Sequence, residues 1–380
     1  GGAGWVLAFF LFFAAEWAIA GPGYLAFGGL AFVLGGMAVL AMLGWWDDHH
    51  DLDARLRAAI QLLVSGALVA AFARHGWIDG WWYGAAAVLF TAWMVNLYNF
   101  MDGSNGMAGT QGLFVFALLA WLFARAEDFA GLNLALLLMA CCAGFLPWNL
   151  GRARVFMGDV GSLVLGFAVA SLLVYGVGSG AFELPVGLMV SALFLVDATL
   201  TLARRVLRGE RWYNAHRQHL YQRLIAAGWT HGRVLALYQA INLLLVLPGV
   251  VIGVNDPARA WPAATVLAAL LALALFTVQA LGISTEVEFG KNIVYPYSSL
   301  FPHWLLNSFF GVFSLLALLS VAVGVKSFWQ AMKAGASSDG DVVPAKSLPA
   351  SIMSVLKCIS THDKFNTCEK ARSRFWSRSH

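Results

Sequence analysis

Seven carboxylates, nine arginines and a compact pair of histidines gather in four short polar segments between apolar runs. The first, Trp46-Asp47-Asp48-His49-His50-Asp51, closes an apolar run. Adjacent carboxylates repel, and each is costly near a membrane unless a cation compensates. Mg²⁺ bound through a diphosphate is one such cation, since it takes hard oxygen ligands. A solvated polar turn is the plain alternative, and His49 and His50 read as interfacial side chains. In the second segment Asn96 and Asn99 are three apart, so they share a helix face just before Asp102, Gly103 and Gly106 break the helix. Carboxamides, a carboxylate and a pliant backbone at a helix end suit a nucleotide or phosphate, although Asn and Gly also suit an ordinary turn.

The third segment sets Asp159 between Gly158 and Gly161 at the start of an apolar helix, with Arg152 and Arg154 just before it. Asp159 could be a simple helix cap. A cap leaves the two arginines unexplained, whereas cations beside a metal-binding carboxylate suit a phosphate substrate. The fourth and most basic segment runs from Arg204-Arg205 through Arg208, Glu210 and Arg211 to His216-Arg217-Gln218-His219 and Arg223. Basic loops beside a membrane commonly set topology and meet anionic lipid. Lipid attraction needs no histidine, so His216 and His219 around Arg217 read as a diphosphate clamp. Asp197, near the end of the preceding helix, either faces the same site or pairs with an arginine.

The elements that hold these segments must be membrane helices. Of 380 residues, 60% are hydrophobic and 12% charged, and the mean hydropathy is +0.72. A soluble domain is nearer half apolar and a quarter charged, and one core cannot hide this much apolar surface. A soluble globular enzyme, a disordered chain and a disulfide scaffold are thereby excluded. Cys141 and Cys142 read as packing residues, Cys358 and Cys368 lie in a polar tail, and no disulfide is expected. A crossing helix takes roughly 20 apolar residues. Spans are predicted near 5–20, 24–45, 57–73, 82–98, 108–124, 132–148, 161–178, 185–203, 233–253 and 262–282, with an eleventh near 304–325. The fold class is therefore all-α, a polytopic transmembrane bundle of about ten helices in 1–283 plus one in 304–325.

This alternation puts the loops around 46–56, 99–107, 149–160 and 204–232 on one side. They hold Arg55, Arg152, Arg154, Arg204, Arg205, Arg208, Arg211, Arg217 and Arg223, against Arg74, Arg125 and Arg259 opposite. The positive-inside rule makes the richer side cytoplasmic. Acidic residues do not set topology, so their gathering on that side points to chemistry there.

The Asp47-Asp48 pair, NLYNFMDGSNGMAG at 96–109, FMGDVGS at 156–162 and AHRQHLYQRL at 215–224 occur in this order at alternate loops. Over about 1–283 the chain resembles the polyprenyl-phosphate N-acetylhexosamine-1-phosphate transferases, the last motif most resembling the branch that starts O-antigen or other surface glycans. The resemblance implies a phosphotransferase in a bacterial inner membrane, with its active site on the cytoplasmic face. It implies that undecaprenyl phosphate attacks the β-phosphorus of a UDP-N-acetylhexosamine and releases UMP. It makes Asp159 the Mg²⁺ (or Mn²⁺) ligand and Asp47 a base or positioner of the lipid phosphate, with Asp48 in support. Asn99 and Asp102, with Asn96, orient the nucleotide sugar, while His216, Arg217 and His219, with Arg55 and Arg154, hold phosphates. The implied partners are the two substrates and the lipid bilayer, with no nucleic acid and with a homodimer left open.

Two features depart from the family. Gly1-Gly2-Ala3-Gly4 resembles the tail of the family's Pro-Arg-Gly-Gly-Gly loop, which implies that 1–283 is a phosphosugar transferase domain lacking its first helix and part of the substrate surface. Asn105 stands where many members carry Asp, either weakening a sugar or nucleotide contact or marking a subfamily. A compositional seam lies near 285. All seven lysines fall at or after Lys291, while 14 of 17 arginines lie before it, so 284–380 reads as a foreign-looking tail. That tail weakly resembles a respiratory membrane subunit, with His303 or His362 as haem ligands, although one helix cannot build the usual haem pocket. A second alternative is an intramembrane prenyltransferase using Asp47-Asp48 and Asp51 on Mg²⁺-diphosphate. It lacks a second acidic motif of the same kind.

Overall fold

The computed structural model describes residues 1–20, 29–50, 52–209 and 219–280. Every described element is helical. In order they are α1 (Gly2–Ala20), α2 (Leu30–His50), α3 (Ala54–Arg74), α4 (Trp81–Met101), α5 (Met107–Arg125), α6 (Phe129–Asn149) and α7 (Gly158–Gly178). Then come α8 (Leu184–Val190), α9 (Ala192–Leu207), α10 (Leu220–Ala226), α11 (His231–Ile241), a π-helical turn (Asn242–Val246), α12 (Leu247–Asn255) and α13 (Pro257–Ala280).

Among the described residues eight helices are long and apolar enough to cross a membrane, or nine if α8 and α9, bent by 79°, form one broken span. The apolar stretch of α1 is shorter. Large apolar side chains such as Leu63, Leu89 and Leu244 face outward, where lipid rather than water is the fitting solvent. The chain is thus a polytopic helical membrane protein. The expected span at 304–325 and the seam at 283/284 lie outside the described residues.

Helix ends differ from the expectation where it matters most. The first polar segment is not a loop. The helix starts at Leu30 and continues through Asp47 and Asp48 to His50, with His49 Nδ1 2.6 Å from the Trp45 carbonyl oxygen one turn back. Likewise α4 runs three residues past Tyr98, so Asn99 belongs to its last turn. Helix α7 is the axis of the bundle. Val160 through Gly176 are buried without a break, as in a helix enclosed on all sides.

Two glycines let the flanking helices approach it. A Cβ on Gly44 of α2 would lie 2.5 Å from the Asp159 carbonyl carbon and the Val160 nitrogen. A Cβ on Gly166 of α7 would meet the Met94 carbonyl oxygen and lie 2.9 Å from the Val95 Cα of α4. Small residues at such crossings allow backbones in a bilayer to pack directly. Here they bring the last turns of α2 and α4 onto the first turn of α7.

Candidate active site

The first turn of α7 is where the three leading polar segments meet. A helix start leaves backbone N–H groups without intrahelical partners. The residue before α7, Met157, offers no side-chain cap. Instead Asp48, from the end of α2, accepts the Asp159 N–H at 3.2 Å, and the Asp102 carboxyl, just past α4, faces the Gly158 N–H. A carboxylate distant in sequence therefore caps α7, with a second beside it. This leaves the Asp159 carboxylate itself free of a capping role.

Asn99 Nδ2 donates to Asp159 Oδ1 at 2.7 Å and to Ser162 Oγ at 3.0 Å, which fixes the carboxyl against α4. Asp47 is buried at the end of α2, where the helix dipole disfavours a negative charge. It is held by the Leu52 N–H at 2.8 Å and by the Arg57 guanidinium. The same Arg57 nitrogen lies 3.9 Å from Asp159 Oδ2. Two carboxylates from different helices thus share one guanidinium. Burial, and after it the Asp159 carboxylate, push the half-buried Asp102 carboxyl well above its usual range, against the Gly158 N–H that favours its charged form.

The other expected site residues fall into four groups. Asn96 lies away from the carboxylates and donates to Gln61 Oε1 at 2.5 Å and to the Ala92 carbonyl at 2.8 Å, tying α4 to α3. Arg55 and Arg154 are exposed, and Arg55 donates its backbone N–H to Asp53 at the start of α3. His216 and Arg217 lie outside the described residues. His219 is 2% exposed, with its ring 6.1 Å from both Phe100 and Tyr221 in stacked orientations.

Asp197 pairs with neither the carboxylate cluster nor, among the bonds assigned to it, an arginine. It is enclosed between α9 and α11 and accepts the Tyr238 hydroxyl at 2.6 Å, the Leu220 N–H at 3.2 Å and the Thr201 hydroxyl at 3.4 Å. His219 Nδ1 lies 3.8 Å from it. Tyr221 extends the link by donating its hydroxyl to the Phe100 carbonyl at 2.9 Å. Asn105 donates to the Gly151 carbonyl at 2.8 Å, and Asn149 accepts the Gly106 N–H at 2.7 Å while donating to the Val155 carbonyl at 2.8 Å. The second polar segment is thereby bound to the third on one side and to α10 on the other.

Arg57 and Tyr221 have roles that the sequence reading misses. The reading starts an apolar span at Arg57. A cation in the first turn of a membrane helix opposes the helix dipole and asks for an anionic partner, which is the signal it carries. Tyr221 carries no such signal, because nothing in its local sequence marks a partner on α4.

The Asp159 carboxylate, oriented by Asn99, offers hard oxygen of the kind Mg²⁺ takes. Among the described residues no three acidic, histidine or cysteine groups converge into a ready-made metal cage. Mg²⁺ fits such a site, since it takes one or two protein carboxylates and completes its shell with water and substrate phosphate.

Fold and site define an integral-membrane protein with an acidic centre at one end of its helices. Residues 30–177 match the family described as glycosyl transferase family 4. A probable undecaprenyl-phosphate N-acetylglucosaminyl 1-phosphate transferase of Bacillus subtilis (strain 168) is 25% identical over 57% of this chain and 64% of its own length. The undecaprenyl-phosphate alpha-N-acetylglucosaminyl 1-phosphate transferases of Yersinia pestis and Escherichia coli (strain K12) are 29% and 30% identical over 56% of this chain, and 63% and 62% of theirs. Over these residues the chain is similar to glycosyl transferase family 4 and to bacterial undecaprenyl-phosphate N-acetylglucosaminyl 1-phosphate transferases. It spans just under two thirds of the length of these curated relatives. Its long apolar helices and bacterial relatives support a polytopic inner-membrane location.

Proposed function

We propose that the protein transfers an N-acetylhexosamine-1-phosphate from a UDP-sugar to undecaprenyl phosphate, releasing UMP, on the cytoplasmic face of the membrane. The observation that carries this reading is the convergence of Asp47, Asp48, Asp102 and Asp159 on the first turn of α7, within the segment that matches the family. An oxygen of the lipid phosphate forms a bond to the β-phosphorus, and the bond from that phosphorus to the oxygen of the UMP phosphate breaks. The lipid then carries a sugar diphosphate, and UMP leaves with the electron pair.

Such a transfer asks mainly for positioning and charge neutralisation. A divalent cation supplies the neutralisation when bound, and Asp159, supported by Asp102 and Asp48, is the group to hold it. Asn99 orients Asp159. Asp47 lies beside Arg57 at the end of α2 and positions the lipid phosphate, which is already largely ionised at neutral pH and needs little help from a base. Arg154, His216 and Arg217 belong to the segments that would meet the nucleotide diphosphate. His219 is enclosed, so its part is to hold the start of α10 rather than to touch phosphate. The intramembrane prenyltransferase alternative gains no support from the family match.

The test is incubation of membranes containing the protein with undecaprenyl phosphate, Mg²⁺ and a panel of UDP-N-acetylhexosamines, with the lipids analysed by mass spectrometry. A lipid-linked sugar diphosphate that disappears with EDTA is expected. A prenylated product without sugar would favour the prenyltransferase.

A further inference from the structure

Arg57 occupies an unusual position. Its side chain leaves the first turn of α3 and sets one nitrogen between carboxylates on two other helices, in contact with Asp47 on α2 and 3.9 Å from Asp159 on α7. The Asp47 side chain is only 5% exposed, so without a cation it would stand as a buried charge next to a like charge. Arg57 itself is 36% exposed and has a path toward the outside. While it sits there, the gap between Asp47 and Asp159 is filled by a guanidinium, and no three acidic groups form a cage among the described residues.

From this geometry we infer that Arg57 is a resident counter-ion: it holds the Asp47–Asp159 pair together in the cation-free state and is displaced from Asp159 when a divalent cation enters. The inference rests on the reading of Asp159 as a cation ligand. Guanidinium and divalent cation compete for one carboxylate, so each weakens the other. Arg57 is a positioning residue here. Its exchange assembles the acidic centre only when the metal is present and spares the empty site an uncompensated pair of like charges, one of them buried.

The test uses the purified full chain without substrate, with free Mn²⁺ counted by electron paramagnetic resonance. Arg57→Gln is expected to tighten Mn²⁺ binding by roughly tenfold. It should also lower the melting temperature of the cation-free protein, and Mn²⁺ should raise that temperature by more than it does in the unsubstituted chain. Unchanged or weaker Mn²⁺ binding in Arg57→Gln overturns the counter-ion role and leaves the cation assignment standing. Absence of Mn²⁺ binding in the unsubstituted chain overturns the cation assignment and this inference with it.

A second measurement needs no variant. Labelling of Arg57 by phenylglyoxal, mapped by mass spectrometry, should rise when Mn²⁺ is added. Labelling that Mn²⁺ leaves unchanged contradicts the displacement.

Discussion

The Asp48 carboxylate accepts the backbone N–H of Asp159 at 3.2 Å, and so a residue at the end of α2 caps the first turn of α7. With the Asp102 carboxyl facing the Gly158 N–H, the start of the helix that carries the proposed cation ligand is met by carboxylates from two other helices. The Asp159 side chain is thereby spared for chemistry. Asp159→Asn should abolish Mg²⁺-dependent UMP release while expression and melting temperature stay close to normal. Near-normal turnover would remove the ligand assignment.

The approach of α2 to α7 depends on Gly44. A methyl group there would meet backbone atoms of Asp159 and Val160, which cannot rotate away. Gly44→Ala should therefore cost about 1–3 kcal/mol, as overpacking does, and should lower activity by separating Asp47 and Asp48 from Asp159. Gly35, on the same helix, has nothing within 4 Å of a built Cβ. Gly35→Ala should be neutral or slightly stabilising. Thermal unfolding in detergent and turnover distinguish the pair.

Asp102 gives a pH signature. Its carboxyl is raised in the folded protein by burial and by Asp159, so the folded state binds its proton more tightly than the unfolded chain does. Stability from this group is greatest at low pH and falls as pH rises from the ordinary carboxylate range, about pH 4, to the raised folded value. Asp102→Asn keeps an oxygen to accept the Gly158 N–H but removes the charge. The cation-free variant should melt above the unsubstituted protein at about pH 8 and converge with it near about pH 4, while losing activity. A melting difference independent of pH would contradict the account.

Asn105 is fitted to its place as a donor. Its amide N–H reaches the Gly151 carbonyl, a bond that an ionised Asp cannot make. Asn105→Asp should set a carboxylate against a carbonyl oxygen, cost about 1 kcal/mol, and raise the rate of proteolysis in the 149–157 segment. Unchanged stability and cleavage would show that the tether is dispensable.

Asp197 anchors the fourth segment. Asp197→Ala would strip the enclosed Tyr238 hydroxyl and the Leu220 N–H of their acceptor, at a cost of about 2–4 kcal/mol for two buried donors. Tyr238→Phe removes one donor and leaves the rest, so its effect should be smaller. Hydrogen exchange at 219–226 should accelerate in Asp197→Ala and much less in Tyr238→Phe.

The bundle was legible in the sequence because long apolar runs need no tertiary information. Asp47, Asp48, Asp102 and Asp159 were legible because charges stand out against such runs. What came together among them was not. The meeting of Asp48 with Asp159, and of Asn99 with Asp159, depends on Gly44 and Gly166 setting helix spacing, and small residues in apolar runs carry no partner's address. Arg57 was concealed by its place at the head of a span. The shared helix face of Asn96 and Asn99 suggested one site, yet a single turn separates a residue tied to Gln61 from one tied to Asp159. His219 read as a phosphate ligand by its neighbours, and the stacking of its ring on Phe100 and Tyr221 could not be read from spacing.

The central claim is transfer of a sugar together with its phosphate. The most direct measurement supplies the purified chain in lipid with undecaprenyl phosphate, Mg²⁺ and a UDP-N-acetylhexosamine labelled with ³²P in the β-phosphate. The account predicts label in the lipid fraction, with UMP as the nucleotide product. Sugar appearing on the lipid while the label leaves as UDP would contradict it.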